Sequence, residues 1–232
     1  MSDFTYVGEE LDLFAQARNW KRYWSDQVRP FVTGAVLEVG AGIGTNTRLL
    51  DTPGATRWTC LEPDQRLYER LLQSLPDDGR YTARRGTLAS LDPLETFDTI
   101  IYIDVLEHIE DDRHELADAS ARLKPGGRIV VLSPAHQRLF TEFDRGVGHF
   151  RRYNRSMLRT ISPAAARLER LFYLDSVGLL ASAGNLLLRR KLPSAGQLHL
   201  WDRYLVRAST YVDPVIGHVV GKTIVGVWRK PE

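Results

Sequence analysis

The sequence predicts a single α/β domain, built on a mostly parallel β-sheet with helices on both faces. Three observations predict it: an apolar run at 36–47 that breaks into glycines and opens a helix, a second apolar run at 57–62 that ends in an acid, and two later runs at 97–109 and 123–134. Short apolar strands that alternate with helical stretches are typical of parallel sheets. The 232 residues, 43% hydrophobic and 26% charged, suit one globular domain over 1–232.

The segment before the first strand is predicted to be helical. Residues 9–31 carry apolar side chains at helical spacing, and Pro30 ends the pattern. We expect residues 1–33 to form a lid at the ligand end of the sheet. Tyr23 is the best lid residue because its hydroxyl can serve a polar ligand group. Core packing is the alternative for most of the aromatic residues here.

The first strand leads into a glycine-rich turn. Gly40, Gly42 and Gly44 allow a tight strand-to-helix turn, and without Cβ atoms the backbone can lie directly against a ligand. The spacing differs from the G-x-G-x-x-G pattern of dinucleotide sites, and Glu38, two residues before the first glycine, suits a cationic ligand better than phosphates. A glycine-rich turn without a ligand is the alternative.

The second strand ends in Glu62, about 20 positions past the glycines, where a carboxylate can accept both hydroxyls of a ribose. Asp64 follows as the predicted N-cap of a helix that runs to Leu75. Glu62 could instead be a helix-start acid, but Asp64 already fills that role. We therefore predict that Glu62 binds a ribose.

The segment after the fourth strand has the spacing of a metal site. If a helix begins near Asp104, then Asp104, Glu107 and His108 share one face, so two carboxylates and an imidazole converge. Carboxylate-rich sets favour Mg or Mn, and a histidine shifts the preference toward Mn, Fe or Zn. His149 is the predicted fourth ligand. The competing interpretation makes His149 or His108 a general base, since an imidazole titrates near neutral pH.

The connection 135–155 is longer than a crossover needs, which predicts a substrate-side insertion. Eight arginines lie between His136 and Arg170 against three acids, a pattern that fits an anionic or phosphorylated substrate or an acidic surface, while a solvated arginine face is the commoner reason for such a pattern. Within this connection, Asp144 could orient His149 or pair with Arg145, and the second arrangement is commoner.

The remainder is predicted to hold a helix at 156–161 and strands at 167–174 and 223–229, with a second substrate-side insertion at 176–215. The stretch 177–191 is apolar with a basic end, and its apolar part is too short to span a bilayer, which takes about 20 residues. It could rest on a membrane, cover a lipid-like substrate, form a dimer face or pack on the sheet.

The motifs between 36 and 134 resemble, in order, those of the class I S-adenosylmethionine (SAM) methyltransferases. The resemblance implies a Rossmann-like seven-stranded sheet of order 3-2-1-4-5-7-6, with an antiparallel last strand, and SAM as the cofactor. The cofactor-binding residues that we predict on this basis are Glu38, Gly40, Gly42, Gly44, Glu62, Leu88, Asp104 and Tyr23.

Two finer resemblances concern the acceptor. The set Asp104, Glu107, His108 and His149 resembles the metal site of small-RNA 2′-O-methyltransferases and the matching helix of ubiquinone-pathway O-methyltransferases, with Asp104 in place of a glutamate. Many class I enzymes carry Leu-Glu-His without a metal. The segment 144–153 resembles a loop of bacterial methyltransferases for glycans and lipid-linked intermediates. This second resemblance implies a sugar or polyol acceptor, with Arg151, Arg152 and Tyr153 as its binders.

We therefore expect a SAM-dependent O-methyltransferase (EC 2.1.1 type) that acts on a small hydroxylated acceptor, either sugar-containing or lipid-linked, with a divalent metal left open. A metal-assisted O-methyltransferase of a quinone precursor or RNA and a non-catalytic SAM-binding protein are the alternatives. The net charge of +2 argues against nucleic acid as a partner. Lipid contact through 177–191 and a homodimer stay open. A single cysteine, Cys60, and a leader-free start predict a cytoplasmic location.

Overall fold

The computed structural model describes residues 16–187 and 195–232, and it contains one seven-stranded sheet. The strand order is β3-β2-β1-β4-β5-β7-β6, and β7 runs antiparallel to both of its neighbours while the other pairs are parallel. This order confirms the predicted fold. The strands are β1 Gly34–Val39, β2 Ala55–Glu62, β3 Tyr81–Arg85, β4 Phe97–Ile103, β5 Leu123–Pro134, β6 Arg167–Leu174 and β7 Thr223–Arg229.

Helices cover both faces of the sheet and its ligand end. The α-helices are α1 Arg18–Val28, α2 Thr45–Leu50, α3 Gln65–Ser74, α4 Asp112–Ala121, α5 Glu142–Gly146, α6 Arg155–Thr160, α7 Ser176–Leu187, α8 Ala195–Leu200 and α9 Val206–Val215. A π-helical turn, Trp201–Leu205, joins α8 to α9. Short 3₁₀ segments lie at Arg29–Phe31, Leu88–Ser90, Leu106–His108 and Gln137–Leu139. Among the residues that are described, no helix is long and apolar enough to cross a membrane.

The central strands are apolar on both faces because helices pack on each side. In β4, Ile100 belongs to one apolar cluster and Ile101 to the other, and both are fully buried. In β5, Val131 and Val130 divide in the same way. Successive side chains of a strand point to opposite faces, so a continuous apolar run is what a doubly covered parallel strand requires.

The sheet order decides which segments surround the ligand end. Because β7 is antiparallel, its first residue lies at the edge where β5 and β6 end. The segment 135–155 leaves this edge after β5, and 176–215 leaves it after β6. Both predicted insertions therefore start where open α/β sheets bind ligands. Their contact with a substrate stays a prediction, and residues 1–15 of the predicted lid and 188–194 lie outside the described residues.

The structure corrects the predicted helix after the fourth strand. Asp104 has a φ of 54°, in the left-handed region, and a 3₁₀ turn follows at Leu106–His108. The α-helix begins only at Asp112, where the Asp111 side chain accepts a hydrogen bond from the His114 N–H and caps the first turn. The argument that Asp104, Glu107 and His108 share a helical face is therefore wrong.

The N-terminal helix α1 is tied to the C-terminal helices through buried carboxylates. The Tyr23 hydroxyl donates to Asp213 Oδ2 over 2.7 Å, and the backbone N–H groups of Asp175 and Ser176 donate to the same carboxylate. Tyr23 is 6% exposed. The prediction that its hydroxyl serves the cofactor is corrected, because this hydroxyl is bound to Asp213 inside the protein.

Candidate active site

The glycine turn after β1 has a backbone geometry that favours glycine. Gly40, Gly42 and Gly44 have φ values of 67°, 57° and 78°, and α2 starts directly after Gly44. A Cβ on Gly40 would lie 2.6 Å from a methyl carbon of Val105, and one on Gly44 would overlap the Ser74 hydroxyl. The turn thus packs closely against Val105, which follows β4, and against Ser74 at the end of α3. A side chain at Gly40 or Gly44 would collide with these residues.

Glu62 is held against this turn. The Gly42 N–H donates to one of its carboxylate oxygens over 2.8 Å, and the Asp64 N–H donates to the other over 2.9 Å. The predicted N-cap is confirmed as well, because Asp64 accepts from the Leu67 N–H. Burial raises the pKa of Glu62, against these two backbone hydrogen bonds. Each oxygen retains acceptor capacity, so the carboxylate can also take ribose hydroxyls.

Two of the predicted cofactor-binding residues are turned into the protein. Glu38 is 1% exposed and accepts hydrogen bonds from the Thr47 hydroxyl over 2.6 Å and the Trp58 indole over 2.9 Å. Burial raises the pKa of Glu38 to about 7. Leu88 is 1% exposed within one of the two apolar clusters. Glu38 thus braces the turn and the Leu88 side chain packs in the core, and a contact of either residue with the cofactor stays a prediction.

Asp104 lies at the ligand end, in a cleft. It is exposed to solvent, yet the protein around it raises the pKa of its carboxyl to about 6, mainly through desolvation and against the attraction of His149, Lys21 and Lys222. Its backbone N–H is fixed by the carbonyl of Leu132 over 2.8 Å. A carboxylate that is reachable from solvent can accept hydrogen bonds from a ligand group such as an ammonium.

His149 is held by the buried carboxylate of Asp144, which was the less favoured of the two arrangements that the sequence left open. The Nδ1 atom of His149 lies 3.0 Å from an Asp144 oxygen, and Arg152 grips the same carboxylate with Nε over 2.7 Å and Nη2 over 2.9 Å. Burial opposes the charge on Asp144, but the hydrogen bonds from His149 and Arg152 hold its pKa well below the ordinary range. Since Nδ1 faces Asp144, Nε2 of His149 is the nitrogen left for a substrate or a metal.

Arg152 occupies the place at this carboxylate that was predicted for Arg145. Arg152 was expected to bind an anionic substrate, but its guanidinium is committed to Asp144 in a two-bond ion pair and is 13% exposed. Arg145, the expected partner of Asp144, instead lies with its guanidinium 5.5 Å from the centre of the Phe140 ring. A bidentate pair fixes both groups, because the planar guanidinium matches the carboxylate.

Arg151 and Tyr153 are likewise turned away from an acceptor. The Tyr153 hydroxyl donates to Asp112 Oδ2 over 2.7 Å, and Tyr153 is fully buried. Arg151 reaches the same Asp112 oxygen with Nη1 over 2.6 Å and the carbonyl of Glu110 with Nη2 over 2.7 Å. The structure therefore corrects both substrate-binding predictions: these residues fasten the loop 144–153 to the start of α4.

A second cluster adjoins His149. The side chains of Glu107, His108 and His149 offer ligand atoms that all lie within 4.8 Å of one another, and Asp104 does not belong to this group. The His108 and His149 rings meet edge to face with centroids 4.5 Å apart. Burial lowers the pKa of His108 to about 4, so its imidazole is neutral at physiological pH. Three of the four predicted metal ligands are thus brought together.

Glu107 is the most constrained member of that cluster. It is fully buried, and one carboxyl oxygen accepts from the Ser133 hydroxyl over 2.8 Å, while its Oε1 has no hydrogen-bond partner among the described residues. Burial raises the pKa of Glu107 well above its usual value, and the charge of Asp104 adds to the effect. A buried polar atom without a partner is costly, by about 1–3 kcal/mol, and a metal ion is one way to satisfy it.

Sequence reasoning missed two lysines at the cleft. Lys21, on α1, and Lys222, directly before β7, both lie near Asp104. Burial lowers the pKa of each ammonium, and the attraction of Asp104 opposes this shift. The predicted antiparallel last strand was a usable signal for Lys222, because the residue before such a strand must lie at the ligand edge. No comparable signal exists for Lys21.

Comparison with known proteins identifies a matching family model and similar sequences. Residues 37–129 match a family model described as a methyltransferase domain. The chain is 28% identical over 155 residues to the demethylmenaquinone methyltransferase of Tropheryma whipplei (strain Twist), which covers 67% of this chain and 61% of that protein. It is 33% identical over 100 residues to the ubiquinone biosynthesis O-methyltransferase of Paramagnetospirillum magneticum, covering 43% of this chain and 40% of that protein.

A solved structure shares the fold over nearly the whole chain. The methyltransferase in a complex with the Trm112 methyltransferase activator of Haloferax volcanii superposes with a TM-score of 0.63 at 18% identity, over 97% of this chain and 100% of that one. At this identity the likeness concerns the fold alone. The curated relatives are longer than the matched region, since the chain spans 61% of the demethylmenaquinone methyltransferase.

Proposed function

We propose, from the premise that this chain belongs to the class I SAM-dependent methyltransferases, that it methylates a hydroxyl oxygen of a small acceptor with His149 as the general base. The observation that carries the proposal is the shared carboxylate of Asp144, which is hydrogen-bonded to both His149 and Arg152 after β5. A hydroxyl has a high pKa, so a positioned base helps its oxygen to attack.

The cofactor half of the site rests on Glu62, Asp104 and the glycine turn. SAM supplies the methyl group when it is bound. Glu62, already fixed at the turn by Gly42, would hold ribose hydroxyls, and the solvent-reachable Asp104 would hold the ammonium of the amino acid end. Gly40, Gly42 and Gly44 allow the backbone to approach the cofactor. These residues fit SAM by their charge and by their common position at the ends of β1, β2 and β4.

The base half of the site handles the acceptor's proton. Nε2 of His149 would take the proton from the hydroxyl as its oxygen attacks the methyl carbon. Asp144 sets the tautomer, because its carboxylate accepts from Nδ1–H, and it stabilises the imidazolium that forms. Arg152 in turn keeps Asp144 ionised and oriented. The residues that act as base and orienter are thus supported by a third, as an activated acid–base pair requires.

The test compares His149→Ala with His114→Ala, because His114 is an exposed histidine on α4. Turnover of labelled SAM on a hydroxylated acceptor should fall about 100-fold or more in His149→Ala and stay unchanged in His114→Ala. Binding of S-adenosylhomocysteine, measured by calorimetry, should be equal in both. Full activity of His149→Ala would overturn the assignment of the base.

A metal-assisted O-methyltransferase is a second candidate, favoured by the unpartnered Oε1 of Glu107 beside His108 and His149. The neutral imidazole of His108 and the carboxyl of Glu107 are suitable donors for Mn²⁺, and Mg²⁺ would be held through the carboxyl. Such an ion would lower the pKa of the acceptor hydroxyl. Calorimetric titration of wild type and Glu107→Gln with Mn²⁺ separates the candidates: binding that is lost in the variant, together with inhibition by a chelator, favours the metal.

The acceptor class is proposed from the loop 144–153 and from the relatives. A sugar or polyol hydroxyl and a lipid-linked hydroxyl both fit a base-assisted site, and the matched relatives are named for quinone pathways. RNA stays an alternative substrate. Lipid contact through 177–191 remains part of the proposal, since Leu180 on α7 is 73% exposed. A labelled-SAM screen of these acceptor classes tests the assignment, and a screen without any conversion to the demethylated product favours the non-catalytic alternative.

A further inference from the structure

The cationic side chains that the sequence offered for an anionic acceptor are engaged elsewhere. Arg151 is paired with Asp112, and Arg152 with Asp144. Arg155 donates to the carbonyl of His218. Arg151 and Arg152 therefore offer no free guanidinium to an anionic group that enters the cleft, and the Arg155 guanidinium is turned toward the His218 carbonyl and the Tyr173 ring, with its Nε buried.

Lys222 differs from the three arginines because its backbone is pinned at the ligand edge. Its N–H donates to the Asp175 carbonyl over 3.1 Å, and its carbonyl accepts from the Ala135 N–H over 2.8 Å. These two bonds fix Lys222 between the end of β5 and the end of β6. The ammonium lies 4.2 Å from the centre of the Trp201 ring, and among the described residues it has no ion pair within 4.0 Å.

Trp201 holds this ammonium in place and is itself fixed. Its indole N–H donates to Asp175 Oδ2 over 2.7 Å, and its ring leans on Trp20 of α1 with centroids 5.8 Å apart. The Asp175 carboxylate is occupied, because its other oxygen accepts from Ser209 and the Gly178 N–H. A cation over an indole is attracted to the ring face, but the ring supplies no oxygen acceptor. The three N–H donors of Lys222 therefore lack a charged acceptor from this side.

The charges around Lys222 show where it lies in the site. Asp104, Asp175 and Arg152 are the charged groups that act on its ammonium. Asp104 belongs to the proposed cofactor half and Arg152 to the base half. Lys222 thus lies near charged groups of both halves, at the ends of β5 and β6. A partly buried ammonium with a lowered pKa is costly, and an anionic ligand would offset that cost.

We propose that Lys222 binds an oxyanion of the acceptor, a carboxylate or a phosphate, beside the hydroxyl that is methylated. This inference rests on the proposed function and narrows its substrate class to hydroxylated acids and phosphates. Trp201 and Asp175 act as positioning residues, because they aim the ammonium without touching the acceptor. The geometry also makes Lys222 the residue that distinguishes such acceptors from neutral ones.

The test is a binding experiment with two pairs of probes that differ in charge: 4-hydroxybenzoate against 4-hydroxybenzamide, and phenyl phosphate against phenol. Calorimetry on the chain loaded with S-adenosylhomocysteine gives each dissociation constant for wild type, Lys222→Met and Lys222→Arg. Lys124→Met is the matched control, since Lys124 forms an ion pair with Asp98 at the opposite edge of the sheet. Thermal unfolding of each variant checks that it is folded.

In wild type, at least one anionic probe should bind about ten-fold or more tightly than its neutral partner, which corresponds to about 1.4 kcal/mol. Lys222→Met should remove this preference, Lys222→Arg should keep part of it, and Lys124→Met should keep it whole. The probe pair that shows the preference indicates whether Lys222 binds a carboxylate or a phosphate. Equal binding within both pairs, absence of binding by all four probes, or a preference that survives in folded Lys222→Met would each overturn the proposal.

The same experiment distinguishes a failure of the proposed methyltransferase function from a failure of the role proposed for Lys222. Affinity for S-adenosylhomocysteine is measured first, and Lys222→Met should leave it unchanged. If wild type does not bind S-adenosylhomocysteine, the methyltransferase proposal fails, and the anion preference is then read on the unloaded chain. If the cofactor product binds but the anion preference is missing, only the role of Lys222 fails.

Discussion

The cofactor end and the acceptor end of the cleft are built from contacts of different range. At the cofactor end, the Gly42 N–H reaches Glu62 across 20 positions, and Thr47 reaches Glu38 across 9. At the acceptor end, Tyr153 bonds Asp112 across 41 positions. The helical cover above it is joined to α1 by contacts that span 182 to 190 positions. A glycine turn and the next strand therefore assemble one end locally, whereas the other end depends on how distant elements dock.

The two ends also differ in what holds them. At the cofactor end, backbone N–H groups hold Glu62. At the acceptor end, side-chain carboxylates such as Asp144 and Asp213 each gather several donors from different elements. Buried carboxylates of this kind are stable only while all their partners are in place. Substitutions at the acceptor end should therefore change the turnover rate and the packing of the protein. Substitutions at the cofactor end should change the affinity for the cofactor.

The largest effect is expected for Asp144→Asn. Without the carboxylate charge, the tautomer of His149 is no longer fixed and its imidazolium is not stabilised, so kcat should fall about 100- to 10,000-fold. Steady-state turnover with labelled SAM measures it, and S-adenosylhomocysteine affinity should stay within a factor of about two. Asp26→Asn, in an exposed ion pair on α1, is the control. A loss of cofactor affinity as large as the loss of kcat would show that the two ends are not independent.

Much of the cofactor end could be predicted from the sequence because its determinants are local. The spacing of Gly40, Gly42, Gly44 and Glu62 indicates a turn and the end of the next strand, which are 20 positions apart in the chain. Backbone hydrogen bonds make that arrangement insensitive to the rest of the fold. The bracing role of Glu38 could not be predicted, because strand alternation alone does not distinguish a buried acid that faces a ligand from one that braces a turn.

The acceptor end could be predicted only in part. His149 and Asp144 are five positions apart, so their contact was within reach of local reasoning. The partners of Arg151 and Tyr153 come from the start of α4, and nothing in the loop's own sequence indicates Asp112. Arginines in a loop are equally compatible with substrate binding and with internal ion pairs. Only the docking of the loop decides between them.

A pH experiment tests the bracing role of Glu38. Burial raises its pKa to about 7 in the folded state from an ordinary 4.5, so its contribution to stability is full below pH 4.5 and is lost as the pH rises through 7. The loss amounts to about 3 kcal/mol at most. Glu38→Gln has no such titration, so its stability relative to wild type should increase between pH 5 and pH 8. Urea denaturation of both proteins measures this difference, and a gap that is independent of pH would contradict the burial of Glu38.

Glu62→Ala should produce a smaller effect, confined to the cofactor end. Loss of the carboxylate removes the acceptor for ribose hydroxyls, and the affinity for S-adenosylhomocysteine should fall about 10- to 100-fold, the value of one or two hydrogen bonds to a charged group. Calorimetry measures it. Glu69→Ala, on the exposed face of α3, is the matched control. If both variants bind equally well, Glu62 only caps the turn, and the ribose must be held elsewhere.

The smallest effect is expected for Tyr23→Phe. This variant tests whether the Tyr23 hydroxyl contacts the cofactor as part of a lid or stabilises the fold. The variant keeps the ring but leaves Asp213 without one of its donors, so the free energy of unfolding should fall by about 1–2 kcal/mol. Affinity for S-adenosylhomocysteine should not change, because the hydroxyl faces Asp213 and not the cleft. Urea denaturation and calorimetry on the same preparation give both values. A variant with wild-type stability but weaker cofactor binding would show that Tyr23 acts as a lid residue. Part of the cofactor end would then depend on contacts between elements that are distant in the chain.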